Sequence, residues 1–131
     1  MMRIRPLAIP SLLLALVFLH GATAQAVTLH TPGVHVNADQ HIRVHVTNVG
    51  TKDIDVITVT LKNPAGTLQV PVVDECVETA PLEPGSTCRV IYSATLGFAT
   101  VEPSGGKVRA AINVLDSTTG RVVTVVPATT K

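Results

Sequence analysis

The chain has 131 residues, of which 46% are hydrophobic but only 2% aromatic, and its ten basic residues nearly balance its nine acidic ones. This length suits one domain with one hydrophobic core. The basic residues stand singly along the chain instead of forming a cluster, which argues against nucleic acid or an anionic membrane surface as a partner.

Residues 1–24 have the three-part layout of a secretory signal peptide. Two arginines precede an apolar stretch over residues 7–19, and small residues follow. Cleavage after Ala24 and cleavage after Ala26 fit equally well. The apolar stretch is shorter than the about 20 residues that a membrane-spanning helix needs. We therefore expect a secreted or periplasmic protein without a membrane anchor after cleavage, and one domain over residues 25–131.

Alternating hydrophobic residues predict strands through most of this domain. Ile42, Val44 and Val46 alternate with polar residues, which is the period of a half-buried strand. Valine is the dominant apolar residue, and β-branched side chains favour sheets. Strands are predicted at residues 27–29, 34–36, 41–46, 53–61, 67–73, 87–95, 107–115 and 121–126. Short strands bounded by turn residues predict an all-β, antiparallel β-sandwich of seven or eight strands.

Two local features refine this prediction. The hydrophobic alternation of residues 53–61 changes phase after Val56, which predicts a β-bulge there. The last five residues, 127–131, are expected to fray.

The two cysteines, Cys76 and Cys88, are predicted to form a structural disulfide. Export would place them in a compartment where a disulfide persists. They lie twelve positions apart and lack the Cys-x-x-Cys spacing of redox motifs. The loop that they close has acidic residues in or beside it and is expected to lie on the surface in contact with solvent. These acids are Asp74, Glu75, Glu78 and Glu83.

Two segments carry a resemblance to a known class of domain. Residues 44–51 (VHVTNVGT) run from an alternating strand into an Asn-x-Gly turn, and residues 82–90 (LEPGSTCRV) have a Leu-x-Pro-Gly-x-x-Cys-x-Val pattern. Both segments resemble bacterial exported immunoglobulin-like modules related to cell-adhesion domains. The resemblance implies an immunoglobulin-like sandwich with one disulfide and a role in adhesion or protein binding, although this fold hosts many unrelated functions.

Histidines suggest an alternative function. His30, His35, His41 and His45 fall within sixteen residues. His41 and His45 share one face of a strand but lie about 13 Å apart at 3.3 Å per residue, too far to share one ion. A copper or zinc site would need His30 or His35 on a neighbouring strand, and the alternative is a periplasmic metal-binding protein that uses His35, His41 and His45.

The remaining motifs point to no catalytic residues. The serines lack the Gly-x-Ser-x-Gly context of a nucleophile elbow, and the acids lack the spacing of a calcium loop. We therefore expect a non-catalytic interaction or structural module of the cell envelope that needs no cofactor. Its expected partner is a protein, and its oligomeric state is left open.

Overall fold

The computed structural model of the protein describes residues 27–94 and 96–131. The elements in chain order are β1 (Leu29–His30), β2 (Val34–His35), β3 (Gln40–Asn48), β4 (Ile57–Lys62), β5 (Val73–Asp74), α1 (Glu75–Glu78), β6 (Thr87–Tyr92), β7 (Leu96–Pro103), β8 (Val108–Asp116) and β9 (Val122–Pro127). No helix in this described part is long and apolar enough to cross a membrane. The predicted signal peptide and both cleavage positions lie outside the described residues.

The strands form two antiparallel sheets. The five-stranded sheet has the order β5-β6-β3-β8-β9, and the four-stranded sheet is built on β7. One edge of β7 pairs with β4, and the other edge pairs with β1 and β2 in succession. The predicted all-β sandwich with one disulfide is therefore confirmed, but the described residues form nine strands instead of seven or eight.

The extra strand is β7, which no sequence pattern predicted. Two of its four inward positions hold small residues, Gly97 and Ala99, while the larger Leu96 and Phe98 on the other face are half-buried. The strand therefore lacks the contrast between large hydrophobic and polar residues on which a period of two depends.

The predicted strand over residues 67–73 is wrong for most of its length. Leu68 forms only an isolated bridge with β4, and regular pairing resumes at Val73 in β5. Pro71 has no N–H to contribute to a ladder, and the valines on either side of it are exposed. This segment crosses from the four-stranded sheet to the five-stranded sheet.

The core lies between the two sheets and is almost entirely aliphatic. Aliphatic side chains without measurable exposure are Ile42, Val44, Val46, Leu61, Val90, Ala99, Val101 and Ile112. The single tyrosine lies among them, where the Tyr92 hydroxyl donates to the carbonyl oxygen of Val59 at 3.3 Å. Because β6 and β4 belong to different sheets, this hydrogen bond links the two layers, and burial raises the pKa of Tyr92 to about 12.

The chain between β3 and β4 packs against the end of the core. Ile54 and Ile57 are both buried whereas Val56 is exposed, as the change of phase indicates. The predicted β-bulge near Val56 is wrong, however, because β4 begins only at Ile57 and residues 53–56 are not part of its ladder with β7. Ile54 also forms an isolated bridge with Leu82. The amide of Asn48 is buried beside this bridge and donates to the Leu82 carbonyl at 2.9 Å.

The last residues are held instead of fraying. Ala128 donates its backbone N–H to Ala110 of β8. Thr129 and His30 exchange two backbone hydrogen bonds of 2.7 and 2.8 Å. Since His30 belongs to β1, this bridge joins the end of the five-stranded sheet to the four-stranded sheet.

Candidate interaction surface

The three histidines of the metal-binding alternative are divided between the two sheets. His35 in β2 pairs with Leu96 of β7, whereas His41 and His45 lie in β3 of the other sheet. The partners of β3 are β6 and β8, so strand pairing does not bring His35 beside His41 or His45. The described residues include no group of three or more metal-binding side chains. Nothing in this part of the chain favours the metal-binding alternative.

His41 and His45 instead belong to a cationic surface on the outer side of the five-stranded sheet. We call this surface the basic face. It comprises His41, Arg43, His45, Arg89 and Arg109. These residues come from β3, β6 and β8, and alternation turns them away from the core because their strand neighbours are buried.

Strand register orders the basic face into rows. One row contains Ile91, Arg43, Asn113 and Val125. The next row contains Arg89, His45, Ala111 and Pro127. Directly opposed side chains have Cβ atoms about 5 Å apart, so His45 lies beside Arg89. Arg43 is two residues from His45 on the same strand, at about 7 Å.

One acidic residue enters this group from the disulfide loop. Glu75, the first residue of α1, accepts two hydrogen bonds from Arg89, at 2.8 Å from Nε and 2.7 Å from Nη2. Such a bidentate pair is stronger than a hydrogen bond between neutral groups. The hydrogen bonds lower the pKa of Glu75 and raise the pKa of Arg89.

The disulfide holds α1 where this ion pair can form. Cys76 follows Glu75 and is bonded to Cys88, which faces inward on β6 one residue before Arg89. Asp74 caps α1 by accepting from the Val77 N–H at 3.2 Å. Asp74 and Glu75 therefore have structural partners, unlike the solvated acidic loop that we expected, whereas Glu78 remains exposed.

Arg43 and His45 have unused hydrogen-bonding groups. Their Nε and Nε2 atoms are buried, and neither atom has a partner among the described residues. Burial is the main cause that lowers the pKa of His45, the charges of Arg43 and Arg89 lower it further, and Glu75 opposes them. At neutral pH, His45 is therefore an uncharged imidazole next to two guanidinium groups.

A second surface lies at the edge of the same sheet. β9 is the outermost strand, and no other described strand pairs with its free edge over Val122–Pro127. Three valines are about half exposed, Val122 at 51%, Val123 at 54% and Val125 at 57%. No residue of β9 is charged. Charged residues are a common protection of edge strands, so β9 has the composition of a strand that pairs with another chain.

A cavity with a volume of about 550 Å³ lies at the end of the sandwich. It is formed by the β3–β4 and β7–β8 connections and lined by glycines and by charges of both signs, including Lys52, Asp53 and Lys107. Ser104 is the only serine of its lining, and its hydroxyl accepts the Val56 N–H at 3.1 Å. The described lining contains no histidine that could act as a base for Ser104.

Sequence reasoning identified only part of the basic face. The alternation of residues 41–46 correctly placed His41, Arg43 and His45 on one polar face. It missed Arg89, Arg109 and Glu75, because their positions depend on the registers of β6 and β8 and on the disulfide, which no local pattern encodes. Arg43 and Arg89 are far apart in sequence, so the sequence alone gives no sign that their charges lie on one surface.

Comparisons of the chain with protein-family models, with curated proteins and with solved structures gave no match. The immunoglobulin-like, adhesion-related resemblance therefore stays a prediction. The Cys76–Cys88 disulfide is consistent with an oxidising compartment such as the periplasm or the exterior of the cell.

Proposed function

We propose that the protein is an exported, non-catalytic interaction module of the cell envelope that binds an extended segment of a protein partner at β9. The observation that carries this proposal is the uncharged edge strand with its exposed valines. The signal-peptide pattern and the disulfide support a secreted or periplasmic location.

Backbone geometry supports strand addition at this edge. Ala128 directs its N–H towards β8, and successive residues of an antiparallel strand point to alternate sides. Val125, three positions earlier, therefore directs its N–H and C=O away from β8. A partner strand that pairs there gains main-chain hydrogen bonds, and its side chains acquire apolar contacts with the valines.

The geometry also limits the partner. A register shift opposite Leu115 interrupts β9 near its start, and Pro127 lacks an N–H near its end. Because Thr129 is already paired with His30, only the segment between these features is available. The partner segment is therefore short, uncharged and rich in β-branched residues, so that it matches Val123 and Val125.

Site-specific photo-crosslinking in exporting cells tests this proposal. A benzophenone amino acid at position 125 is compared with the same residue at position 56, because Val125 and Val56 are 57% and 56% exposed. We expect an adduct with one envelope polypeptide from position 125 only. Equal adducts from both positions, or none from position 125, would contradict binding at β9.

A proline variant separates backbone pairing from side-chain contact. Val125→Pro removes an N–H that faces away from β8, which an edge strand tolerates, and should abolish the adduct formed by a benzophenone at position 123. Val125→Thr keeps the N–H and serves as its control. An adduct that survives Val125→Pro in a folded protein would exclude strand addition.

A further inference from the structure

We propose that the basic face binds the carboxylates of an acidic segment in a protein partner, through Arg43, His45 and Arg89. The Val125 side chain lies on the same face of the sheet, but strand addition at β9 uses main-chain groups of the sheet edge, whereas the basic face uses arginine and histidine side chains of β3 and β6. Either proposal can therefore fail while the other stands.

The chain itself shows how this surface recognises a carboxylate. Glu75 is bound by two nitrogens of Arg89, which is the fork geometry that suits carboxylates. Arg43 is the neighbouring guanidinium on the same face, and its Nε has no partner among the described residues. An incoming carboxylate can bind the terminal nitrogens of Arg43, whereas the buried Nε becomes available only when the side chain moves outward.

His45 neighbours both arginines and supplies a further hydrogen-bonding nitrogen. Its Nε2 is buried without a partner in the described chain, and a buried polar atom that is left unpaired is unfavourable. The charged groups that face His45 are Arg43 from its own strand, Arg89 from β6 and Glu75 from α1, while β8 contributes the uncharged Ala111. A bound carboxylate satisfies the imidazole and offsets the surplus of positive charge.

The amount of charge favours an acidic polypeptide over a polyphosphate chain. The basic face has three arginines and one internal glutamate, a surplus of two positive charges when the histidines are not counted. Nucleic acid binding depends on many basic side chains that neutralise phosphates along the strand, which this surface does not supply. Two or three carboxylates on an extended segment match it.

Binding should strengthen as the pH falls. Protonation adds a positive charge at His45, and a bound carboxylate stabilises that charge. The burial and the neighbouring arginines that lower the pKa of His45 act in the free protein, so the carboxylate raises this pKa upon binding. By linkage, affinity increases through the pH range in which His45 gains its proton.

Calorimetric titration with model peptides tests this proposal. The protein is recovered from exporting cells that express the full chain, and the probes are a blocked peptide with four Gly-Glu repeats and its Gly-Gln counterpart. We expect binding of the Glu peptide alone. Arg43→Gln and Arg89→Gln should each weaken binding at least fivefold, whereas Glu75→Gln should strengthen it at least threefold by releasing Arg89.

Two controls make the test specific. Arg121→Gln alters an exposed arginine outside the basic face and should change the affinity by less than twofold. His45→Gln should remove the increase in affinity between pH 7.5 and pH 5.5. In the unmutated protein, the peptide should shift the NMR signals of the Arg43 and Arg89 side chains and leave the Arg121 signal in place, which keeps the test valid if a variant fails to fold.

Several results would overturn the proposal. These are equal binding of the Gln peptide, equal effects of Arg121→Gln and Arg43→Gln, or unchanged signals of Arg43 and Arg89. Tighter binding of a polyuronate oligosaccharide at the same arginines would assign the surface to an acidic polysaccharide instead of a polypeptide.

Discussion

The buried amide of Asn48 connects three backbone segments at the end of β3. Its Nδ2 donates to the carbonyl oxygens of Lys52 at 2.8 Å and Leu82 at 2.9 Å, and its Oδ1 accepts the Gly50 N–H at 2.9 Å. All the hydrogen-bonding groups of this side chain are therefore used without any exposure to solvent. The Asn-x-Gly turn was recognisable in the sequence, but the contact with Leu82 was not, because it joins residues 34 positions apart.

We predict that Asn48→Ala lowers the free energy of unfolding by about 2–4 kcal/mol, because it leaves buried backbone groups without partners. Chemical denaturation followed by circular dichroism measures this change. Asn37→Ala is the matched control, since Asn37 is exposed, and its effect should stay within about 0.5 kcal/mol. Equal effects of the two substitutions would contradict a structural role for the Asn48 amide.

His45 makes the stability of the protein depend on pH. Its pKa in the folded state is lower than the ordinary value of 6.5, primarily because of burial. The unfolded chain therefore binds a proton more readily than the folded protein. The contribution of His45 to the free energy of unfolding is fully present above pH 6.5, where the imidazole is neutral. It declines as the pH falls from 6.5 through the lower pKa of the folded state.

We predict that His45→Gln flattens the stability profile between pH 7.5 and pH 5, since glutamine does not titrate. Urea unfolding at intervals of half a pH unit gives the profile. His35→Gln changes an exposed histidine on the other sheet. This variant should lose stability towards low pH as the wild-type protein does. A decline that is unchanged in His45→Gln would show that another group causes it.

At the scale of the element, β7 and β4 approach closely at one glycine. A methyl group at Gly97 would lie 2.8 Å from Cγ and 2.9 Å from Cδ1 of Leu61. Leu61 has no measurable exposure and little freedom to move away. Because Gly97 has no side chain, the two strands can pack at this point. The same small residue weakens the hydrophobic alternation from which β7 could have been predicted.

We predict that Gly97→Ala destabilises the protein by about 1–3 kcal/mol through overpacking. Gly33→Ala is its control, because nothing lies within 4 Å of a methyl group at that position. Thermal unfolding of Leu61→Ala and of the double variant completes the test. If Leu61 is the obstacle, the double variant should lose less stability than the sum of the single variants.

The elements themselves were predicted unevenly. Strands whose two faces differ in polarity, such as β3 and β8, were found to within two residues of their ends. β5 and β7 were missed or misplaced because neither shows that difference, β5 being two residues long and β7 having small inward residues. The sequence could not predict that β9 lies at the edge of its sheet, since the edge position depends on the order of the strands.

At the scale of the whole molecule, crossing segments connect the two sheets on both sides. Residues 68–73 pass from β4 to β6, and the bridge between Thr129 and His30 joins β9 to β1. Together with the Cys76–Cys88 disulfide, they restrict relative movement of the layers. The outer edge of β9, which lies before the bridge at Thr129, remains accessible.

The antiparallel bridge between His30 and Thr129 has a mechanical consequence. Residues before His30 and residues after Thr129 leave the bridge on the same side, because the two segments run in opposite directions. Tension applied through both segments would therefore load the two hydrogen bonds in sequence, as in a zipper, instead of sharing the load as in shear. Under pulling, the molecule should open first by peeling β1 from the end of β9, well before the interior of either sheet yields.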